Sequence, residues 1–170
     1  MSEPINSGFE DLWRANEDYT KSFKYRDLTG RAARGLAIVT CMDSRINPLS
    51  VVGMKSGDAK ILRNAGARVT QDVLRTLVLA TYLLGVDRIL VMPHTDCRMA
   101  QEDEEVIHAM IEEKHGVDTR SLEFNTVVDQ RAALSQDLAR IRAFPLIPKN
   151  VIVSGGIYHV ATGKIEPIES

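Results

Sequence analysis

Short runs with apolar centres recur along this chain and predict its strands. They lie at 36–40, 60–63 and 88–92, and a fourth begins at 151–153. A tight turn at 161–164 precedes a short last strand. Runs of this kind, with little polar alternation, are typical of strands that are buried on both faces of a parallel sheet.

The segments between the strands have apolar residues at helical spacing and recognisable helix ends. Asn47 followed by Pro48 predicts a helix start, because asparagine caps well and proline suits the first helical position. Thr70 caps a second predicted helix, which Gly85 ends. The apolar positions of that helix are Val73, Leu74, Leu77, Val78 and Leu84.

Two further helices are predicted in the second half of the chain. One spans about 99–115 and stops at Gly116, and its inward-facing residues are expected to be Val106, Ile107, Met110 and Ile111. The other opens at a capping box formed by Thr126 and Asp129. Its apolar face is expected to carry Val127, Leu134, Leu138 and Ile141.

Strands that alternate with helices predict an α/β fold, with a mostly parallel central sheet flanked by helices. A length of 170 residues suits one domain, 1–170, with a helical N-terminal arm at 1–23. The arm carries loosely spaced Phe9, Leu12 and Trp13, and it can pack on its own domain or on a partner.

Composition narrows the classes of function. Hydrophobic residues make up 44% of the chain and charged residues 26%, and the formal net charge is -2. This balance gives no global attraction to nucleic acid or to anionic membranes, so we expect neither as a partner. The polar, acidic start lacks an apolar segment, so we expect no signal peptide, no membrane span and a cytoplasmic location.

Candidate chemistry is concentrated after two of the predicted strands. Cys41, Asp43 and Arg45 follow the first strand, and His94 and Cys97 follow the third. Ligands gather at the carboxyl ends of parallel strands, so the two clusters can converge. Zinc accepts sulfur and nitrogen in tetrahedral coordination, and three protein ligands leave one position open for catalysis.

Each cluster alone has a simpler interpretation. A cysteine that ends a buried strand is usually a small core residue, and His-x-x-Cys alone is weak evidence for a metal. Asp43 and Arg45 alone are compatible with an ordinary salt bridge. The presence of both clusters at strand ends favours the metal site.

The combined pattern resembles the β-class carbonic anhydrases, in particular their small bacterial branch. The resemblance rests on Cys41-x-Asp43-x-Arg45, the segment Arg63-Asn64-Ala65-Gly66 and His94-x-x-Cys97, in that order. It is strong over 36–99 and weaker over 151–164. That branch includes relatives that hydrolyse carbonyl sulfide, and more distant relatives attack carbon disulfide.

The resemblance implies one zinc ion per chain, bound by Cys41, His94 and Cys97. It implies that Asp43 accepts a hydrogen bond from hydroxide on the zinc and that Arg45 holds Asp43 in place. The implied reaction is that of a zinc lyase, the reversible hydration of carbon dioxide to bicarbonate. The implied assembly is a homodimer, or a larger oligomer built from dimers, in which the arms embrace the neighbouring chain.

Arg98 departs from the family pattern, which has glycine directly after the second cysteine. Glycine permits a tight turn, whereas arginine adds bulk and a fixed positive charge beside a ligand. Its side chain either points to solvent or narrows the entrance, which would change the substrate or abolish activity. Hydrolysis of carbonyl sulfide or carbon disulfide therefore stays open as the enzymatic alternative, and a zinc-binding homologue without activity as the other.

Overall fold

A five-stranded sheet organises the chain in the computed structural model, which describes residues 8–168. The strands are β1 (Leu36–Cys41), β2 (Ala59–Asn64), β3 (Arg88–Met92), β4 (Ile152–Tyr158) and β5 (Ile165–Pro167). Their order is β2-β1-β3-β4-β5. The first four are parallel and β5 is antiparallel to β4. The predicted α/β class with a mostly parallel sheet is confirmed.

Within residues 8–168, one helix precedes the sheet and four lie between its strands. They are α1 (Glu10–Lys21), α2 (Pro48–Val51), α3 (Gln71–Leu83), α4 (Glu104–His115) and α5 (Gln130–Ala143). Short 3-10 turns occupy Ala65–Ala67 and Arg98–Ala100. Among residues 8–168, no helix has both the length and the apolar content that crossing a membrane requires.

The predicted helix starts at Asn47 and Thr70 are confirmed. The Asn47 side chain accepts a hydrogen bond from the amide of Ser50, and Pro48 takes the first helical position of α2. The Thr70 side chain accepts one from the amide of Val73, so each cap satisfies an amide that has no partner within its helix.

The two faces of the sheet carry separate apolar clusters. On one face α3 and α5 pack against β1 and β3, and on the other Leu36, Ile38 and Met92 pack around α2 and the loops that follow β1 and β3. Gly155 lets α5 approach β4, because a side-chain carbon there would lie 2.9 Å from Leu138 Cδ1. Close packing on both faces fixes the carboxyl ends of the strands.

The prediction for α4 was wrong in its start and in its burial. The helix begins at Glu104, because 98–100 forms a 3-10 turn whose Met99 carbonyl accepts a hydrogen bond from the amide of Val127. None of its residues is buried, and Val106 and Met110 are 42% and 45% exposed. Helical spacing marks an apolar stripe, but it does not show that another element covers the stripe.

The start of α5 also differs from the predicted capping box. Asp129 is the N-cap, and its Oδ1 accepts hydrogen bonds from the amides of Arg131 and Ala132 at 2.9 and 3.0 Å. Thr126 and Val127 precede the helix, although Val127 is buried as expected. Since Asp129 satisfies two amides of the first turn, it determines where the helix begins.

A buried ion pair ties α5 to the segment that follows β2. Asp137 Oδ2 accepts hydrogen bonds from Arg68 Nε at 2.8 Å and from the amide of Val69 at 3.1 Å. The Asp137 side chain is 3% exposed and that of Arg68 is 16% exposed. Removing one partner of such a pair leaves the other charged and buried.

We expect Asp137→Ala to lower the free energy of unfolding by about 3 kcal/mol, because Arg68 loses its counter-charge in a buried place. The matched control is Asp72→Ala, which breaks an exposed pair with Arg75 and should change stability by less than about 1 kcal/mol. Urea denaturation measures both. Equal losses in the two variants would contradict this assignment.

Candidate metal centre

Three potential ligand atoms converge at the carboxyl end of the sheet. Cys41 is the last residue of β1, and His94 and Cys97 lie in the loop that follows the neighbouring strand β3. Their ligand atoms all lie within 4.8 Å of one another, and the two sulfur atoms are 4.0 Å apart. All three residues are buried, so the fold brings together the set that the sequence singled out.

The imidazole of His94 is oriented as a ligand. Its Nδ1 lies 2.8 Å from the carbonyl oxygen of Thr95, and because a carbonyl only accepts, Nδ1 carries the proton. Nε2 then presents a lone pair, and this buried atom has no hydrogen-bond partner among the described residues. A buried lone pair without a partner is unfavourable, and a metal ion at this point would satisfy it.

The two thiols lie in a field that favours negative charge on sulfur. A hydrogen bond from Cys97 is the largest cause that lowers the pKa of Cys41, against the opposing effect of burial, and the nearby His94 ring and the amides of Gly66 and Asp43 add to the lowering. The same sulfur contact raises the pKa of Cys97. Burial is the largest effect on the pKa of His94 and lowers it, but the contacts with Cys41, the Thr95 carbonyl and Asp43 together outweigh burial and the net shift is upward.

Contacts among the three groups contribute to each of these shifts and reflect the demand of a thiolate for a nearby positive charge. A divalent cation meets that demand and displaces the protons from both sulfur atoms. Tetrahedral zinc with bonds of about 2.3 Å places two sulfurs about 3.8 Å apart, close to the 4.0 Å between Cys41 and Cys97. The donor set of two sulfurs and one nitrogen therefore fits zinc.

Asp43 is held beside these ligands by Arg45. Its carboxylate accepts hydrogen bonds from Arg45 Nε at 3.0 Å and Nη2 at 2.8 Å, and these bonds lower the pKa of Asp43. Asp43 Oδ2 lies 3.8 Å from His94 Nε2, so the ionised carboxylate faces the point on which the ligand atoms converge. The resemblance implies both this contact with Arg45 and an orientation of Asp43 toward the metal ligands.

Arg45 also joins the two ligand loops. Its Nη1 donates to Asp96 Oδ2 at 2.8 Å and its Nη2 donates to the Asp96 carbonyl at 3.1 Å. Asp96 has a φ of 55°, in the left-handed region, so the sharp bend between His94 and Cys97 falls on this residue. One guanidinium thus fixes both the carboxylate and the bend.

Arg98 points away from the ligand atoms. Its Nη1 donates to Gln101 Oε1 at 3.1 Å, and its Nη2 lies 3.7 Å from Met110 Sδ on α4. The side chain is 55% exposed. Of the alternatives for this arginine, the orientation away from the site is the one observed.

Sequence reasoning missed Gln130, which supports the His94 loop from α5. Its Nε2 donates to the carbonyl of His94 at 2.6 Å. A contact between a side chain and a backbone carbonyl 36 residues away leaves no pattern in the sequence. Only the packing of α5 against the sheet reveals it.

Comparisons with known proteins agree with this geometry. A family model described as carbonic anhydrase matches residues 36–165. β-carbonic anhydrase 1 of Mycobacterium tuberculosis is 34% identical over 94% of this chain and 96% of its own length. A carbon disulfide hydrolase of Acidithiobacillus thiooxidans is 30% identical over 79% of this chain and 77% of its own. The crystal structure of a carbonic anhydrase from Streptococcus mutans has a TM-score of 0.88 at 35% identity, and the match covers 99% of this chain and 100% of that one.

We expect protein purified under reducing conditions to contain about one zinc ion per chain by elemental analysis. His94→Gln should lose most of it, because His94 is the one imidazole in the group that the described residues form with the two thiols. His115→Gln is the matched control, since His115 is exposed on α4, and it should keep its zinc. A metal-free wild-type chain or a disulfide between Cys41 and Cys97 would contradict the prediction.

Proposed function

This chain belongs to the β-class carbonic anhydrase family, and we propose that it catalyses the reversible hydration of carbon dioxide to bicarbonate. We further propose that Cys41, His94 and Cys97 hold one zinc ion. The observation that supports both proposals most directly is the buried, unpartnered Nε2 of His94, which faces two thiols. A zinc ion held by these three residues would supply the Lewis acidity that lowers the pKa of water toward neutrality.

Asp43 is proposed to orient the attacking oxygen. Because Arg45 lowers its pKa, Asp43 stays an anionic acceptor across the neutral range and can take a hydrogen bond from the attacking group. That bond directs the free lone pair of the oxygen toward the carbon of the substrate. Arg45 occupies both carboxylate oxygens, so it limits rotation of Asp43 without removing its capacity as an acceptor.

Carbon dioxide is placed ahead of carbonyl sulfide and carbon disulfide as the substrate. The mycobacterial relative named as a carbonic anhydrase aligns over nearly the whole of both chains, whereas the carbon disulfide hydrolase aligns over less of each. The orientation of Arg98 toward α4 also removes the reason to expect a blocked site.

Stopped-flow measurement of carbon dioxide hydration by the zinc-loaded protein tests the proposal. We expect turnover well above the buffer rate, and little release of sulfide from carbonyl sulfide or carbon disulfide under the same conditions. Sulfide release without carbon dioxide hydration would replace the proposed substrate, and inactivity on all three compounds would refute the enzyme assignment.

In the same assay, Asp43→Asn should retain zinc and lose about 100-fold in turnover, because an amide can donate where an acceptor is needed. The control is Arg98→Gly, whose rate should stay within about twofold of wild type, as for an ordinary surface substitution. Wild-type turnover in Asp43→Asn would show that the pair of Asp43 with Arg45 is only a structural salt bridge. A large gain in Arg98→Gly would restore the view that Arg98 restricts the site.

We also propose a homodimer, alone or paired into a larger assembly, with 1–170 as one domain and 1–23 as its arm. The described part of the arm supports this, because α1 buries none of its residues and Trp13 is 53% exposed. A helix of 12 residues that buries none of its side chains is marginal in water. β2 is moreover an edge strand of the sheet, which usually needs cover. A second copy would protect both.

Deletion of residues 1–23 should shift the protein toward the monomer and lower its stability, as measured by light scattering coupled to gel filtration at micromolar concentration. Trp13→Asp should act in the same direction, because it places a charge on the apolar side chain that a partner would cover. Val128→Asp, at a residue that is 86% exposed outside α1, is the matched control and should leave the mass unchanged. A monomeric wild-type chain would end this proposal.

A further inference from the structure

Arg63 on β2 makes a set of hydrogen bonds that the chemistry above does not use. Its Nε donates to the carbonyl of Cys41 at 2.9 Å, its Nη1 to that of Ile46 at 3.2 Å and its Nη2 to that of Asp43 at 2.5 Å. The three carbonyls belong to one short loop, which runs from the end of β1 to the start of α2. Three nitrogens of one guanidinium therefore hold a single loop.

This loop carries two groups on which the proposed reaction depends, the sulfur of Cys41 and the carboxylate of Asp43. Other backbone bonds also hold it: the amide of Met42 donates to the Asn64 carbonyl, and the amide of Ile46 donates to the Asp43 carbonyl to close a turn. Arg45 restrains the Asp43 side chain and ties this loop to Asp96, but Asp96 lies in the other ligand loop and not in a strand. Arg63 lies on the neighbouring strand β2, so its bonds fix the position of the loop relative to the sheet.

We infer that Arg63 is a positioning residue, which sets the distance between the Cys41 sulfur and the Asp43 carboxylate through the backbone that carries both. Its planar fork reaches three carbonyls in different directions, which a lysine ammonium on a flexible stem does not reproduce. In this inference Arg63 acts through the positions of the three carbonyls that it binds.

The exposure of Arg63 separates positioning from stability. The residue is exposed and its bond to the Asp43 carbonyl lies at the surface, so water can replace that bond, whereas its bonds to the carbonyls of Cys41 and Ile46 are partly buried. Loss of the side chain should loosen the loop without unfolding the domain. Groups that orient metal ligands from outside typically change metal affinity or activity by about 10- to 100-fold.

The test compares Arg63→Ala, Arg63→Lys and the control Arg88→Ala in zinc-loaded protein. Arg88 is also a strand arginine that donates to a backbone carbonyl, that of Arg34, but at the opposite end of the sheet. The readouts are the rate of zinc release to a chromophoric chelator, the visible spectrum of the cobalt-substituted protein, kcat and KM for carbon dioxide, and the unfolding midpoint.

We expect Arg63→Ala to release zinc about 10- to 100-fold faster and to have a kcat lower by a similar factor. Its cobalt spectrum should be altered, and its KM should change little. Its unfolding midpoint should match that of Arg88→Ala. Added guanidinium ion should restore part of the loss in Arg63→Ala and nothing in Arg88→Ala. Arg63→Lys should stay impaired, because it keeps the charge and loses the fork.

Wild-type zinc release and kcat in Arg63→Lys would overturn the inference, as would equal losses in Arg88→Ala. If Arg63→Ala does not fold, Arg63→Lys decides alone. The inference rests on the proposed zinc site and reaction. The separate measurements distinguish a failure of the inference from a failure of the proposed reaction. A wild-type chain that binds zinc but does not hydrate carbon dioxide would refute the reaction, while zinc release and the cobalt spectrum would still decide on Arg63.

Discussion

The parallel pairing of β1 with β3 is the constraint on which the site depends. Five residue pairs, from Leu36 with Arg88 to Thr40 with Met92, fix the register, and Thr40 Oγ1 donates to the Met92 carbonyl at 2.8 Å in the buried interior. A slip of two residues would move one strand by about 6.6 Å along the other. The candidate ligand atoms lie within 4.8 Å of one another, so no such slip is compatible with a shared metal ion.

Charged groups of opposite sign alternate with distance from the ligand atoms of the site. The two sulfur atoms and Asp43 gather negative charge in a buried place, which the proposed zinc and Arg45 offset. Asp96 in turn neutralises part of Arg45. Since each charge has an opposite neighbour, the carboxylate can stay ionised and aimed at the ligands without a large desolvation penalty.

Local signals made the strands, the caps at Asn47 and Thr70 and the ligand set predictable from the sequence. Apolar runs and capping side chains act within a few residues, and ligand types at strand ends follow from the chemistry of zinc. Cover over α4 is set by distant segments, so the exposure of Val106 was not predictable. Arg63, Gln130 and Asp137 act on distant segments, and nothing near them in the chain marks those contacts.

The tolerance of arginine at position 98 follows from where the bend in the ligand loop lies. A glycine after the second cysteine would be required if that residue had to adopt a positive φ, but here Asp96 does so at 55°. Aspartate enters the left-handed region more readily than most residues, and its side chain there accepts bonds from Arg45 and Gln101. Position 98 is thereby free to carry a long side chain. That side chain reaches Met110 and connects the ligand loop to α4, which also contacts the segment after it through Glu104 and His108.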